Sequence, residues 1–269
     1  MSDPGVSAVL AECRAEGRAA LIGYLPVGFP DVETSIEAMV AMVRAGVDIV
    51  EVGVPYSDPL MDGPLIQNAV AAALAGGTRV DDVFRATGAV RAAGVPPLVM
   101  TAWNLVLRRG VDRFADDLLS GGGAGLITPD VIPEEAGAWL AASERTGLDR
   151  VFLVAPSSTM ERLAHVTAAS RGFVYAASTM GVTGTRSTVD DAAEVLVSRT
   201  REVTGLPVCV GLGVSTRSQA AEVASYADGV IVGSALVRAL IQDRELGNGY
   251  ESLSALVAEL ASGVREGRG

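Results

Sequence analysis

Apolar residues recur along this chain in two alternating rhythms. Short uninterrupted runs of Val, Ile, Leu and Ala are followed by longer stretches in which apolar residues return every three or four positions. The first rhythm predicts buried strands and the second predicts amphipathic helices. Strands are expected at 19–25, 49–54, 98–101, 124–128, 151–154, 172–176, 208–210 and 229–232. A helix at 5–16 opens the chain, and Asp31 reads as the N-cap of a helix running to Ala45 and stopped by Gly46. Further helices are expected at 65–74, 80–93, 111–119, 134–146, 159–170, 190–204, 215–226, 234–242 and 250–264. Glycines close most of them, as at Gly76-Gly77, Gly94 and Gly121-Gly122-Gly123.

Eight strands, each followed by a helix, fit the length and rhythm of a (β/α)8 barrel. A doubly wound open sheet shares the alternation, but eight units favour the barrel. No linker, low-complexity tract or composition shift divides the chain. The expectation is an α/β fold: one TIM-barrel domain over residues 1–269, with an extra N-terminal helix and extra helices around the second and eighth strands. The loops after the strands would then share one face.

One stretch breaks the apolar pattern. The strand at 49–54 carries Glu51 in its middle and ends at Pro55 in a loop rich in Pro, Ser, Asp and Gly. Alternation places Ile49, Glu51 and Gly53 on one face and Val50, Val52 and Val54 on the other. The valine face suits a covering layer, so Glu51 must look into a core or a pocket mouth, where a carboxylate is costly unless used. Asp62 follows in the loop, close enough to fold back toward Glu51. A plainer reading makes Asp62 the cap of a helix beginning near Leu65. The pair in its setting favours chemistry.

Composition narrows that chemistry. All 21 basic residues are arginine. The absence of lysine removes imine mechanisms and covalent attachment of pyridoxal phosphate to this chain. The sole histidine, His165, lies in a predicted helix far from other signals, so a His-based metal centre or a Ser-His-Asp triad is not expected. Cys13 and Cys209 are far apart and suggest buried thiols, with neither a disulfide framework nor a metal site. The net charge of −11 disfavours nucleic acid and anionic membrane as partners. No apolar run approaches a membrane span, and the N-terminus does not resemble a signal peptide. A soluble, cytoplasmic protein is expected, whose chemistry uses carboxylates, tyrosines and backbone amides.

Two turns point to a phosphate. Gly211-Leu212-Gly213 follows the seventh predicted strand, and Gly233-Ser234 follows the eighth at a helix start. Glycines there let backbone amides approach an anion, and the helix terminus adds partial positive charge. These two loops are the usual phosphate position of the barrel. A third loop, containing Gly181-Val182-Thr183-Gly184-Thr185-Arg186, has the small-residue composition of a lid.

The segment from Glu51 to Asn68, with Pro55-Tyr56-Ser57-Asp58-Pro59-Leu60-Met61-Asp62-Gly63-Pro64 at its centre, resembles the signature of the tryptophan synthase α subunit family. The glycine turns fall where that family has its loops after strands six, seven and eight. The similarity covers nearly the whole chain and thins at the N-terminal helix and after about Gln242.

The resemblance implies retro-aldol cleavage of indole-3-glycerol phosphate to indole and glyceraldehyde 3-phosphate, with Glu51 and Asp62 as the catalytic carboxylates. It implies that Tyr24 and Tyr175 line the substrate pocket and that Gly184, Gly213, Gly233 and Ser234 bind the phosphate. Asp58, Pro59, Asn104, Asp130 and Thr183 would link the site to a partner β subunit. That partner, in an α2β2 assembly, would carry pyridoxal phosphate, with no cofactor on this chain. Met61, Ala102 and Phe173 depart from the family's usual residues. A free-standing lyase, a non-catalytic activator of a β subunit, and another phosphate-binding barrel are the competing readings.

Overall fold

The computed structural model describes residues 5–58, 61–177, 191–211 and 213–267. Among these, the strands are β1 (Ala20–Pro26), β2 (Ile49–Gly53), β3 (Pro97–Met100), β4 (Gly125–Ile127), β5 (Asp149–Val151), β6 (Leu153–Val154), β7 (Val174–Ala177), β8 (Val208–Gly211) and β9 (Gly229–Val232). All pair in parallel, in the order β5-β4-β3-β2-β1-β9-β8-β7-β6. The two ends of that order, β5 and β6, are consecutive pieces of one chain segment interrupted at Phe152. The fifth predicted strand is thus two pieces: β5 pairs with β4 and β6 with β7, which carries the circuit round the barrel.

Alternation along each strand divides the core in two. Val50, Val52 and Val54 join the layer between barrel and helices, as the valine pattern anticipates. Ile49, Leu98, Ile127, Val151, Phe173, Cys209 and Ile231 fill the barrel interior. Helix α1 (Val6–Ala15) closes the N-terminal end by adding Val6, Leu10 and Cys13 to that interior cluster. Arg14 holds the helix in place through Asp228, 3.0 Å away just before β9. Both cysteines are buried and neither is in a disulfide, and burial pushes the Cys13 thiol up to about 12.

The first two barrel helices are α2 (Val32–Ala45), capped by the Asp31 carboxylate on the Thr34 amide, and α3 (Pro64–Ala75). Then come α4 (Val80–Ala92), α5 (Trp103–Arg109), α6 (Val111–Ser120) and α7 (Gly137–Thr146). The chain finishes with α8 (Met160–Ala169), α9 (Asp191–Arg201), α10 (Arg217–Tyr226), α11 (Ser234–Leu246) and α12 (Glu251–Glu266). The extra helices after the second and eighth strands are present, as α3 with α4 and α11 with α12.

Helix α5 is an addition that the hydrophobic pattern does not announce. Its N-cap, Ala102, supplies no side-chain acceptor. The Trp103 amide instead donates to the Asp130 carboxylate, at 2.9 and 3.0 Å, so the helix is capped from another loop. Helix α7 begins at Gly137, not 134, because residues 132–136 form a turn in which the Glu135 and Ala136 amides donate to the Ile132 and Pro133 carbonyls; Glu134 in that turn pairs with Arg162 and lies 3.4 Å from His165. His165 is thus a half-exposed surface histidine with an acidic neighbour. No helix among the described residues is long and apolar enough to cross a membrane.

Candidate functional site

The C-terminal ends of the strands open on a cleft lined by Tyr24, Glu51, Asp62, Tyr175, Gly213, Gly233 and Ser234 together with Met61, Ile66, Met100, Gly211 and Ile231. Every described residue expected to act on or hold the substrate therefore meets in one place. Gly184 and Thr183 lie outside the described residues, as do Pro59 and Leu212. Met100 and Ile231 were not anticipated. Both lie on the inward phase of their strands, two residues beyond Leu98 and Gly229, and that alternation could have found them.

Strand register places Glu51 between Tyr24 of β1 and Leu98 of β3. Its side chain is fully buried, and Oε2 has no hydrogen-bond partner. Burial, reinforced by the charge of Asp62, raises its carboxyl from 4.5 to about 8. A buried carboxyl with an unpartnered oxygen and a raised titration, at the wall of a cleft, marks a candidate functional group.

Asp62 is not a helix cap. Helix α3 starts with Gly63 as N-cap and Pro64 at its first position, with no side-chain cap bond. The Asp62 carbonyl accepts from Gln67 Nε2 at 2.7 Å, which ties the loop to the helix and leaves the carboxylate facing the cleft. The loop is less polar than its composition suggests. Asp62 is half-buried, and burial raises its carboxyl too. The ordering of the pair survives: the charge of Asp62 helps keep Glu51 protonated, so Asp62 loses its proton first.

Glycines make room for the tyrosines. A Cβ on Gly211 would stand 2.5 Å from Tyr175 Oη, and one on Gly53 would stand 2.5 Å from Tyr24 Oη. Tyr175 also packs against Phe173, ring centroids 6.5 Å apart, with Phe173 itself fully buried beneath the cleft. Gly211→Ala is therefore expected to push Tyr175 into the cleft. The KM for a ligand bound there should rise about tenfold with the circular dichroism spectrum unchanged. Steady-state kinetics on the variant checks this.

The glycine turns expected to hold a phosphate lie at the same cleft. Gly213 has φ +72°, a left-handed backbone that only glycine adopts freely. Helix α11 begins with Gly233 as N-cap, no side-chain cap bond and no acidic residue in its first turn. Gly233 and the buried Ser234 line the cleft at this helix start, an arrangement suited to phosphate oxygens. Among the described residues no group of His, Cys, Asp and Glu could hold a metal.

A second cleft adjoins the first, sharing Tyr24, Met61, Asp62 and Met100 and continuing past Tyr56, Asp58, Ala102 and Asp130. Asn104 Nδ2 donates to Tyr56 Oη at 3.3 Å. Of the residues expected to face a partner, the described ones, Asp58, Asp130 and Asn104, thus lie at this second cleft, with Met61 on the shared wall and Ala102 on the outer one.

The family model described as tryptophan synthase alpha chain matches residues 10–265. A tryptophan synthase alpha chain from Mycolicibacterium paratuberculosis is 64% identical over 261 residues, covering 97% of this chain and 94% of the relative. One from Mycobacterium tuberculosis is 62% identical over 259 residues, covering 96% and 94%. Among solved structures, M. tuberculosis tryptophan synthase superposes with a TM-score of 0.91 at 61% identity, covering 97% of this chain and 98% of that one. The alpha subunit from Legionella pneumophila superposes with a TM-score of 0.88 at 29% identity, over 96% and 97%.

Proposed function

This chain belongs to the tryptophan synthase α chain family, and we propose that Glu51 and Asp62 are the two groups that carry its reaction. The reaction is the α reaction of tryptophan synthase, a carbon–carbon lyase step that splits indole-3-glycerol phosphate into indole and glyceraldehyde 3-phosphate. The chain carries no cofactor; pyridoxal phosphate belongs to the β subunit that receives the indole. The observation that carries the assignment is the buried, unpartnered Oε2 of Glu51 in the same cleft as Asp62 and the α11 terminus.

Cleavage needs an electron sink, and with no lysine for an imine the indole ring must serve. Protonation at C3 turns the ring into an indolenine with a cationic N1. The bond from C3 to the side chain then breaks, its electron pair restores the aromatic ring, and the side-chain hydroxyl gives up its proton to become the aldehyde. One proton is delivered and one is taken back. Glu51, protonated near neutral pH, delivers the first at C3 and as a carboxylate collects the second. Asp62, ionised first, accepts from the indole N–H and stabilises the positive charge as it forms. Tyr24 and Tyr175 flank the ring, and Gly213, Gly233, Ser234 and Gly184 hold the phosphate, which fixes C3 against Glu51.

Asp58, Pro59, Asn104, Asp130 and Thr183 form the side that meets the β subunit, in an α2β2 assembly in the cytoplasm. The test is indole release from indole-3-glycerol phosphate by the purified protein, with and without a cognate β subunit. Slow cleavage alone and a large rise on adding β support the assignment. Fast cleavage indifferent to β would make the protein a free-standing lyase, and no indole in either case would remove the substrate assignment.

A further inference from the structure

Tyr24 is shared by the two clefts, and its surroundings give its hydroxyl a task that packing does not explain. It stands beside Glu51 in the register of β1 and β2. Its ring rises past its neighbour over Gly53, whose Cβ would stand 2.5 Å from Oη, while Gly233 on the other side would place a Cβ 3.2 Å from Cδ1. Gly53 at the end of β2 and Gly233 just after β9 thus form a slot that fixes the phenol, on a residue that lines both clefts together with Asp62. A phenylalanine would fill that slot equally well. The hydroxyl is an added polar group on a residue only 8% exposed, where a hydrogen-bond partner offsets what burial of the ring costs it.

Asp62 supplies the matching need. An ionised carboxylate removed from water requires donors, and among the described residues lining the two clefts there is no arginine or histidine to provide them. Among the described residues lining the clefts, the titratable groups beside Tyr24 and Asp62 are Glu51 and Tyr175 in the first and Tyr56, Asp58 and Asp130 along the second. Three of these are acids. The Tyr175 oxygen lies over Gly211 of β8, and Tyr56 lines only the second cleft, whereas Tyr24 shares both with Asp62. Burial first, then the charges of Asp62 and Glu51, hold the Tyr24 phenol well above its ordinary value, so it remains a donor throughout the working range.

We propose that Tyr24 is a positioning residue for Asp62: in the substrate complex its hydroxyl donates to one Asp62 oxygen and leaves the other for the indole N–H. The proposal rests on Asp62 being the partner of the indole nitrogen. Its test is Tyr24→Phe, which keeps the ring in its slot. Turnover of indole-3-glycerol phosphate should fall about tenfold with KM changed less than threefold. The acidic limb of the kcat/KM profile should move up by about one pH unit, because the ionised form of Asp62 has lost a donor, while the basic limb stays in place.

A packing role alone would raise KM or lower the melting temperature with both limbs unmoved, and that result overturns the proposal. Asp62→Asn run in the same assay separates the two readings. Wild-type turnover in Asp62→Asn would remove the role of Asp62 itself. An inactive Asp62→Asn beside a Tyr24→Phe profile that overlays the wild type would remove only the role of Tyr24.

Discussion

Glu51→Gln is expected to lower the turnover of indole-3-glycerol phosphate by on the order of 10⁴-fold, at the upper end for loss of one acid–base group. The reason is that no other sink exists. Without a proton at C3 the indole ring cannot accept the bonding electrons, and the chain has no lysine to offer an imine instead. The amide keeps the size and the buried position of the carboxyl, so KM should change by less than about threefold, a loss confined to the transition state.

The same substitution should make the protein more stable at neutral pH. In the unfolded chain Glu51 ionises near 4.5, whereas in the folded chain burial and Asp62 hold it protonated to about 8. Between those values folding must retain a proton that the unfolded chain has released, so Glu51 costs more stability as pH rises from 4.5 toward 8. At pH 7 the cost is roughly 3 kcal/mol. Thermal melts of the wild type and Glu51→Gln should therefore diverge with rising pH, the variant melting higher at pH 7 to 8, and converge near pH 4. The proposed catalytic acid, held in a dry barrel wall, trades stability for function.

Asp62→Asn is the second large effect, a loss of about 10²- to 10³-fold in turnover with a modest rise in KM. Asparagine can still accept a hydrogen bond from the indole N–H, so binding is weakened but kept. What it lacks is the negative charge that faces N1 as the ring becomes cationic. The deficit should therefore appear chiefly in kcat. Stability should not fall, because Asp62 caps no helix and its link to Gln67 runs through the backbone carbonyl. Single-turnover indole release and a thermal melt on the same preparation check both halves.

How much of this was legible in the sequence follows from where each signal resides. The barrel was readable because its signals are local: period-two runs, period-three-to-four stretches and glycine stops recur eight times. The phase of one strand was enough to send Glu51 inward and Val50, Val52 and Val54 outward, and the structure follows that division. Helix α5 was not readable, because its capping acceptor is Asp130, in a loop 27 residues further along the chain. The break of the fifth strand at Phe152 likewise depends on two different neighbouring strands.

At the site, the resemblance supplied the roles of Tyr24 and Tyr175, but not the space for them. Gly53 and Gly211 read as ordinary strand-end glycines until the tyrosine rings are seen to cross them. The polarity of the Asp62 loop was misleading for the same reason. Pro, Ser, Asp and Gly describe a turn, while the burial of Asp62 is set by what surrounds it, with Tyr24, Met61 and Met100 among the side chains sharing its clefts.

The central claim is that Glu51 enters the reaction as an acid, and the most direct measurement is its protonation in the folded protein. Infrared difference spectra between pH 5 and 9, with Glu51→Gln as the reference, isolate its carboxyl stretch. The account predicts a protonated carboxyl signal that is present at pH 6.5, disappears around pH 8 and is absent from the variant. A carboxylate already ionised at pH 6 would contradict it, and the proton for C3 would have to come from elsewhere.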